Sequence, residues 1–181
     1  GKTTTTSMVT QILMEANWDP TVMIGGVLPA IGSGHRVGKG DTVVLESCEY
    51  CDSFLNFFPS LAIILNVEAD HLDYFKDLKH VQQSFRRFAQ LASKDILVNG
   101  DDANTMEAVA GLEVVTFGLG QGRDIRAENI SADHRSFDVV CRGQFYCHVD
   151  LGVYGIHNTY NALAAAGAGW LVRPLVWAGV C

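Results

Sequence analysis

Gly1-Lys2-Thr3-Thr4-Thr5-Thr6 opens the chain, and an apolar stretch with Met8, Val9, Ile12 and Leu13 follows at once. The order is that of the last glycine, the lysine and the hydroxyl of the phosphate-binding loop G-x-x-x-x-G-K-[ST], with a helix directly behind it. Backbone N–H groups at a helix N-terminus point at anionic oxygens, and the helix dipole adds to the attraction. On this reading Lys2 reaches the terminal phosphates of a nucleotide, Thr3 holds a magnesium ion, and Gly1 and Thr4 flank them. The earlier positions of the pattern would lie before Gly1, so the reading expects a piece of a longer polypeptide. Taken alone, glycine-lysine-threonine also reads as a Thr-rich helix start with a surface lysine. The rest of the chain has to decide.

The pattern beyond the first helix (Thr3 to Ala16) alternates strand and helix. Short β-branched or apolar runs at Thr21–Ile24, Thr42–Leu45, Leu61–Val67, Asp95–Val98 and Val114–Phe117 read as strands. Leu61–Val67 is apolar without alternation, as suits a strand buried on both faces of a parallel sheet. Leu78–Leu91 carries Val81, Phe85, Phe88 and Leu91 at helical spacing, and Ala103–Ala110 reads as a short helix behind the turn Asn99-Gly100-Asp101-Asp102. Gly32-Ser33-Gly34-His35 and Gly38-Lys39-Gly40-Asp41 read as turns. Residues 124–130, 136–141 and 144–149 read as antiparallel strands, and Asn158–Leu171 as an alanine-rich helix. The expected fold is therefore α/β: a doubly wound, mostly parallel sheet of P-loop type with a small antiparallel β-sheet attached. Pro174 and the apolar tail behind it break the helical pattern, so residues 172–181 are expected to be an aberrant tail.

Composition narrows the function classes. A chain of 181 residues, 48% hydrophobic and 18% charged, has enough apolar matter for one globular core. A net charge of -7 argues against a broad nucleic-acid surface but not against ATP, whose phosphates need only a few local groups. No apolar run reaches the roughly 18–20 residues that span a bilayer, so no membrane partner is expected. Five irregularly spaced cysteines suit reduced thiols and a cytoplasmic setting better than a disulfide framework. Cys48 and Cys51 form a C-x-x-C with no second ligand pair nearby, which reads as incidental.

In such a sheet, ligands collect beyond the carboxyl ends of the strands. Glu46 follows the strand Val43–Leu45. Asn66, Glu68, Asp70 and His71 follow the run at Leu61. Magnesium prefers oxygen ligands, so Glu46 and the Thr3 hydroxyl suit it, with a second cation near Glu46 and His71. Asp70 and Asp73 read equally well as helix-capping acids.

These residues together resemble a family. Gly1-Lys2-Thr3-Thr4-Thr5, Leu45-Glu46-Ser47, Asn66-Val67-Glu68-Ala69-Asp70-His71-Leu72-Asp73, and the stretch from Gly155 through His157, Asn158 and Asn161 to Ala165 are similar to the ordered motifs of the Mur ligases. The resemblance runs to about Gly169 and implies ATP-dependent amide formation in bacterial peptidoglycan synthesis. It also implies that residues 1–181 are the central ATP-binding domain, between a UDP-sugar domain and a C-terminal domain that closes over ATP. By position Lys2, Glu46 and His71 match the catalytic set, and Thr3, Glu46 and His71 the metal ligands. Gly1, Lys2, Thr3 and Thr4, with His157, Asn158 and Asn161, match the ATP-binding set. The stretch Glu46 to Leu55 is similar to the E-x-x-E-x-x-x-S-F-L form of the alanine-adding branch, which implies ATP, UDP-N-acetylmuramate and L-alanine as small-molecule substrates. Several members carry a carbamylated lysine beyond the histidine. Here that region reads Ser84-Phe85-Arg86-Arg87-Phe88, as expected for that branch. The alternatives are the branch that recycles murein tripeptide and a nucleotide-binding module without catalysis. The sequence leaves the oligomeric state open.

Overall fold

The structure, a computed structural model, describes residues 1–172. The expectation of an aberrant tail therefore falls, beyond Val172, outside the described residues. In chain order the elements are α1 (Lys2–Glu15), β1 (Thr21–Leu28), β2 (Ser33–Arg36), β3 (Val43–Leu45), a 3-10 segment (Tyr50–Asn56), β4 (Leu61–Ile64), α2 (Leu78–Gln90), β5 (Asp95–Asn99), α3 (Ala103–Ala108), β6 (Val115–Gly118), β7 (Ile125–Glu128), β8 (Ser136–Cys141), β9 (Gln144–Asp150) and α4 (Ile156–Val172).

Among the described residues, nine strands form two sheets. One has the order β2-β1-β3, the other β4-β5-β6-β7-β8-β9. Strands β4 to β7 are parallel, and β8 and β9 are antiparallel additions at the far edge. This corrects the expected small antiparallel sheet. Strand β7 pairs in parallel with β6, through Phe117↔Ile125 and Gly118↔Arg126, so the hairpin behind it extends the main sheet. The physical reason is a shared apolar face. Ile125, Phe137, Val139 and Cys141 join Leu97 and Phe117 in one core under α4. The separate sheet is instead the early one, with its own core of Leu13, Val22, Ile24, Leu28 and Val44.

A second correction falls at Gly32–His35. Residues 33–36 form β2 and pair antiparallel with β1 across a bulge between Met23 and Leu28. A Cβ on Gly34 would lie 2.7 Å from the Gly26 carbonyl oxygen, so the glycine permits two backbones to close up rather than turning the chain.

Local chemistry explains the helices. Asp77 accepts from the His80 N–H at 2.8 Å and starts α2, which buries Val81, Phe88 and Ala89. Asp102 accepts from the Thr105 N–H at 2.8 Å and starts α3, as the turn before it leads one to expect. The same carboxylate takes the Val67 N–H at 3.2 Å, tying α3 to the end of the β4 segment. Helix α4 is buried along most of its length because its residues are small. A Cβ on Gly167 would sit 2.7 Å from the Ile125 Cδ1 and 3.2 Å from the Leu97 Cδ2, so the helix lies close on the sheet.

The outer hairpin carries one titrating pair. His148 Nδ1 meets Asp138 Oδ1 at 2.7 Å across β8 and β9, and its Nε2 meets Ser136 Oγ at 3.0 Å. The hydrogen bond to Asp138 holds the imidazole above its ordinary value, with Asp150 adding to it. A histidine raised on folding stabilises fully below about pH 6.5 and loses that contribution as pH rises through its folded value. Asp138, held low by the same contact, stays ionised throughout that window. The stability advantage of the native chain over His148→Asn is therefore larger at pH 5.5 than at pH 8.5. Urea melts at both pH values measure it, and an advantage flat with pH would exclude the pair as a contributor.

Candidate nucleotide and metal site

Helix α1 begins at the carboxyl rim of the sheets. Gly1 is its N-cap, and the Thr5 N–H reaches the Gly1 carbonyl at 3.0 Å. The Thr6 and Thr10 hydroxyls turn back onto the Lys2 and Thr6 carbonyls at 2.9 and 2.8 Å, so the threonine run stays helical. Lys2 and Thr3 thus leave from the first turn, where the N–H groups have no helical partner.

The rim gathers the four residues singled out in the sequence. Thr3 Oγ1 donates to Glu46 Oε1 at 2.8 Å, and the Gly25 N–H donates to the other Glu46 oxygen at 2.7 Å. The Lys2 ammonium contacts Glu49. His71 Nε2 stands 3.7 Å from Glu49 Oε1 and 4.0 Å from Asp70 Oδ2. Glu49, Asp70 and His71 each offer an atom within 4.8 Å of the others, among the described residues the group whose chemistry suits a metal ion. A hydroxyl, three carboxylates and an imidazole are a donor set that a hard divalent cation accepts.

Glu49 is the residue that sequence reading underused. Its side chain is only 16% exposed and bridges Lys2 to His71. The second acid of the E-x-x-E spacing was the available signal. Tyr50 was also missed. Its ring lies 4.9 Å from that of His71, and its hydroxyl donates to Asp73 at 2.9 Å. That hydrogen bond pushes the phenol up to about 12, so Tyr50 stays a neutral donor that props the imidazole.

The capping alternative for Asp70 and Asp73 does not hold. No helix follows Asp70. It accepts from the His71 N–H at 2.7 Å and helps hold His71 at φ 55°, while Asp73 receives Tyr50. Asn66 and Glu68 pair with each other at 2.6 Å. Where the resemblance notes the missing lysine, Ser84 is buried against Asp52 and Arg86 donates to the Ala110 carbonyl at 2.7 Å.

The start of α4 is more closed than its motif suggests. Asn158 and Asn161 are buried, with Asn158 donating to the Tyr154 carbonyl at 2.8 Å and Asn161 to Asn158 at 3.1 Å. Thr5 donates to Asn161 at 3.2 Å, which locks α4 onto α1 behind the loop. His157 is left exposed. Nearby, Asp101 accepts from Tyr160, Arg123 and the Leu119 and Gly120 N–H groups, which fixes the mouth of β6 beside it.

Residues 1–169 of the chain match the family model of the Mur ligase middle domain. The chain belongs to the Mur ligase family. This Mur ligase domain is 49% identical to a UDP-N-acetylmuramate–L-alanine ligase of Caldanaerobacter subterraneus subsp. tengcongensis, over 95% of the chain and 39% of that relative. It is 43% identical to the ligase of the same name from Clostridium tetani, over 91% of the chain and 38% of the relative. The domain thus spans about two fifths of the length of the curated relatives it matches.

Solved structures agree on the fold. The UDP-N-acetylmuramate-alanine ligase of Thermotoga maritima superposes with a TM-score of 0.81 at 30% identity, covering 95% of this chain and 39% of that one. A UDP-N-acetylmuramate:L-alanyl-gamma-D-glutamyl-meso-diaminopimelate ligase of Neisseria meningitides superposes at 0.84 with 28% identity, covering 96% and 59%. No described helix of the Mur ligase domain is long and apolar enough to cross a membrane.

Proposed function

We propose that this domain binds ATP and magnesium in a ligase that joins L-alanine to the carboxylate of UDP-N-acetylmuramate. The observation that carries the reading is the meeting of Lys2, Thr3, Glu46, Glu49 and His71 at one rim, in a chain 49% identical to a ligase of that name. The curated relatives at 43–49% identity are alanine ligases by name, which supports L-alanine as the amine.

The proposed chemistry is the one that the resemblance to the Mur ligases implies. A carboxylate oxygen of the sugar substrate attacks the γ-phosphorus of ATP, the bond to the β-phosphate oxygen breaks, and ADP leaves. The resulting acyl phosphate is attacked by the amine of L-alanine. Phosphate departs, the nitrogen loses a proton, and an amide remains. Lys2 places a positive charge beside the transferred phosphoryl group, where preorganised charge acts most strongly. Thr3 and Glu46 would hold one magnesium ion, and Glu49, Asp70 and His71 a second. Bound there, magnesium supplies charge neutralisation of the phosphate oxygens. Glu49 holds the ammonium and the imidazole at a fixed separation, and Tyr50 orients the imidazole.

A phosphate-release assay on the full-length protein tests the reading. Release that requires L-alanine supports it. Release that requires the tripeptide L-alanyl-γ-D-glutamyl-meso-diaminopimelate instead assigns the recycling reaction, and release with neither excludes both. Within the same protein, Glu46→Gln keeps an acceptor for the Thr3 hydroxyl but removes the charge. The magnesium concentration for half-maximal rate is expected to rise about 10–100-fold, the range typical of tuning groups at metal sites. An unchanged requirement would remove Glu46 from the metal set.

A further inference from the structure

The polar face of the outer hairpin carries a cluster that the nucleotide rim does not use. Ser136 and Asp138 stand two residues apart on β8 and so share one face of the sheet. On β9, His148 lies opposite Asp138, and Asp150 lies opposite Ser136. Opposed residues of an antiparallel pair hold their Cβ atoms about 5 Å apart, so one imidazole can reach both β8 side chains. Its Nδ1 meets Asp138 Oδ1 at 2.7 Å, and its Nε2 meets Ser136 Oγ at 3.0 Å.

Each contact fixes the chemistry of the other. An ionised carboxylate only accepts, so in the neutral ring Nδ1 carries the proton and Nε2 keeps its lone pair. That lone pair accepts the Ser136 hydroxyl proton. Asp138 is anchored in turn. Its second oxygen accepts from Asn129 Nδ2 at 2.6 Å, and its side chain is 24% exposed. The imidazole is half exposed and Ser136 is partly buried, so a solute reaches the hydroxyl from one side. A hydroxyl bonded to an imidazole, which a carboxylate orients from behind, is the arrangement that turns a serine into a nucleophile. Asp150 Oδ2, 3.6 Å from Nε2, adds negative charge beside the imidazolium that forms.

We propose that Ser136, His148 and Asp138 form an acyl-transfer site that hydrolyses activated esters. The Oγ–H proton passes to His148 Nε2 while Oγ attacks the carbonyl carbon of the ester. The bond from that carbon to the leaving oxygen breaks, the leaving oxygen takes the proton from Nε2, and an acyl-serine remains. A water molecule then gives a proton to Nε2 and attacks the acyl carbon. Oγ departs and recovers the proton, and the products are an alcohol or phenol and a carboxylic acid. The surroundings of Oγ set the substrate class. The Ser136 N–H is spent on Ser131 Oγ at 2.9 Å and does not meet the developing oxyanion. Without that donor the carbon needs a good leaving group, so the site suits aryl esters and not amides.

The test is hydrolysis of p-nitrophenyl acetate by the whole chain, its thiols first capped with N-ethylmaleimide because Cys48 and Cys51 are exposed. Ser136→Ala and His148→Gln are each expected to lower the protein-dependent rate by about 10²-fold, the lower end of what a positioned general base contributes. Asp138→Asn, which lets the ring take the wrong tautomer, is expected to lower it by about tenfold or more. Ser136→Ala gives up one partly exposed hydrogen bond, and a thermal melt is expected to show the native midpoint. An alkyl fluorophosphonate, whose P–F bond breaks as the Oγ–P bond forms, is expected to label Ser136 when the adduct is located by peptide mass spectrometry. A Ser136→Ala chain as fast as the native one would mean that the imidazole acts alone and would overturn the proposal. A native rate no greater than that of free imidazole at equal concentration, or a fluorophosphonate adduct absent from Ser136, would overturn it as well.

Discussion

Alanine in place of Lys2 lowers the turnover of the full-length ligase by about 10²–10³-fold, the cost of removing one preorganised charge from a reacting group. The rim is otherwise acidic. Glu49 contacts the ammonium, and Glu46 and Asp70 stand at the same rim beside Thr3 and His71, so loss of the lysine leaves a nucleotide polyanion facing carboxylates. The effect should appear in kcat as well as in the KM for ATP, because charge builds on the phosphoryl group in the transition state. Lys2→Arg keeps the charge but not the compact ammonium, and is expected to recover only part of the rate. The side chain is about half exposed, so the thermal midpoint should hardly move. Steady-state kinetics beside a melt separates the two contributions. A Lys2→Ala enzyme with near-native turnover would remove the lysine from the phosphoryl site.

Phe117→Ala is expected to cost about 3–5 kcal/mol of folding free energy. Phe117 is fully buried at the centre of the parallel sheet, in one core with Leu97, Ile125 and Leu163. The cost depends on whether the surroundings can collapse into the gap. Here they cannot move far, because Gly167 already lets α4 rest on Ile125 and Leu97. Urea denaturation of this chain measures the difference. A loss below about 1 kcal/mol would mean that α4 settles into the space.

Much of the plan was legible from residues alone. The period of α2, the apolar run of β4 and the turn that starts α3 each carry a local cause, namely spacing, burial on both faces and a capping carboxylate. That these residues meet at one rim was legible too, since Thr3 opens a helix and Glu46 and His71 follow strands, where such sheets bring polar groups together. What escaped was set by pairing at a distance. Nothing near residue 125 says that β7 lies parallel to β6, nor does Gly34 announce that its backbone will press against Gly26. Glu49 escaped for a similar reason. Its partners Lys2 and His71 are far away in sequence, so nothing local to residue 49 marks it. The 3-10 segment that carries Tyr50 and Asp52 depends on positive φ values at Cys51 and Asp52; aspartate tolerates that region, but nothing in the residue type of Cys51 announces it.

The division into two sheets also sets how a ligand would act on the whole molecule. Glu46 rides on the three-stranded sheet, whose core is small and whose strands β1 and β3 pack on α1. Glu49 and His71 belong to the segments on either side of β4. An ion or nucleotide held by all three would act as a cross-brace between two bodies of unequal firmness. By mass action it would raise the melting point of the weaker body, so that saturation at the rim reads out as cooperativity in unfolding.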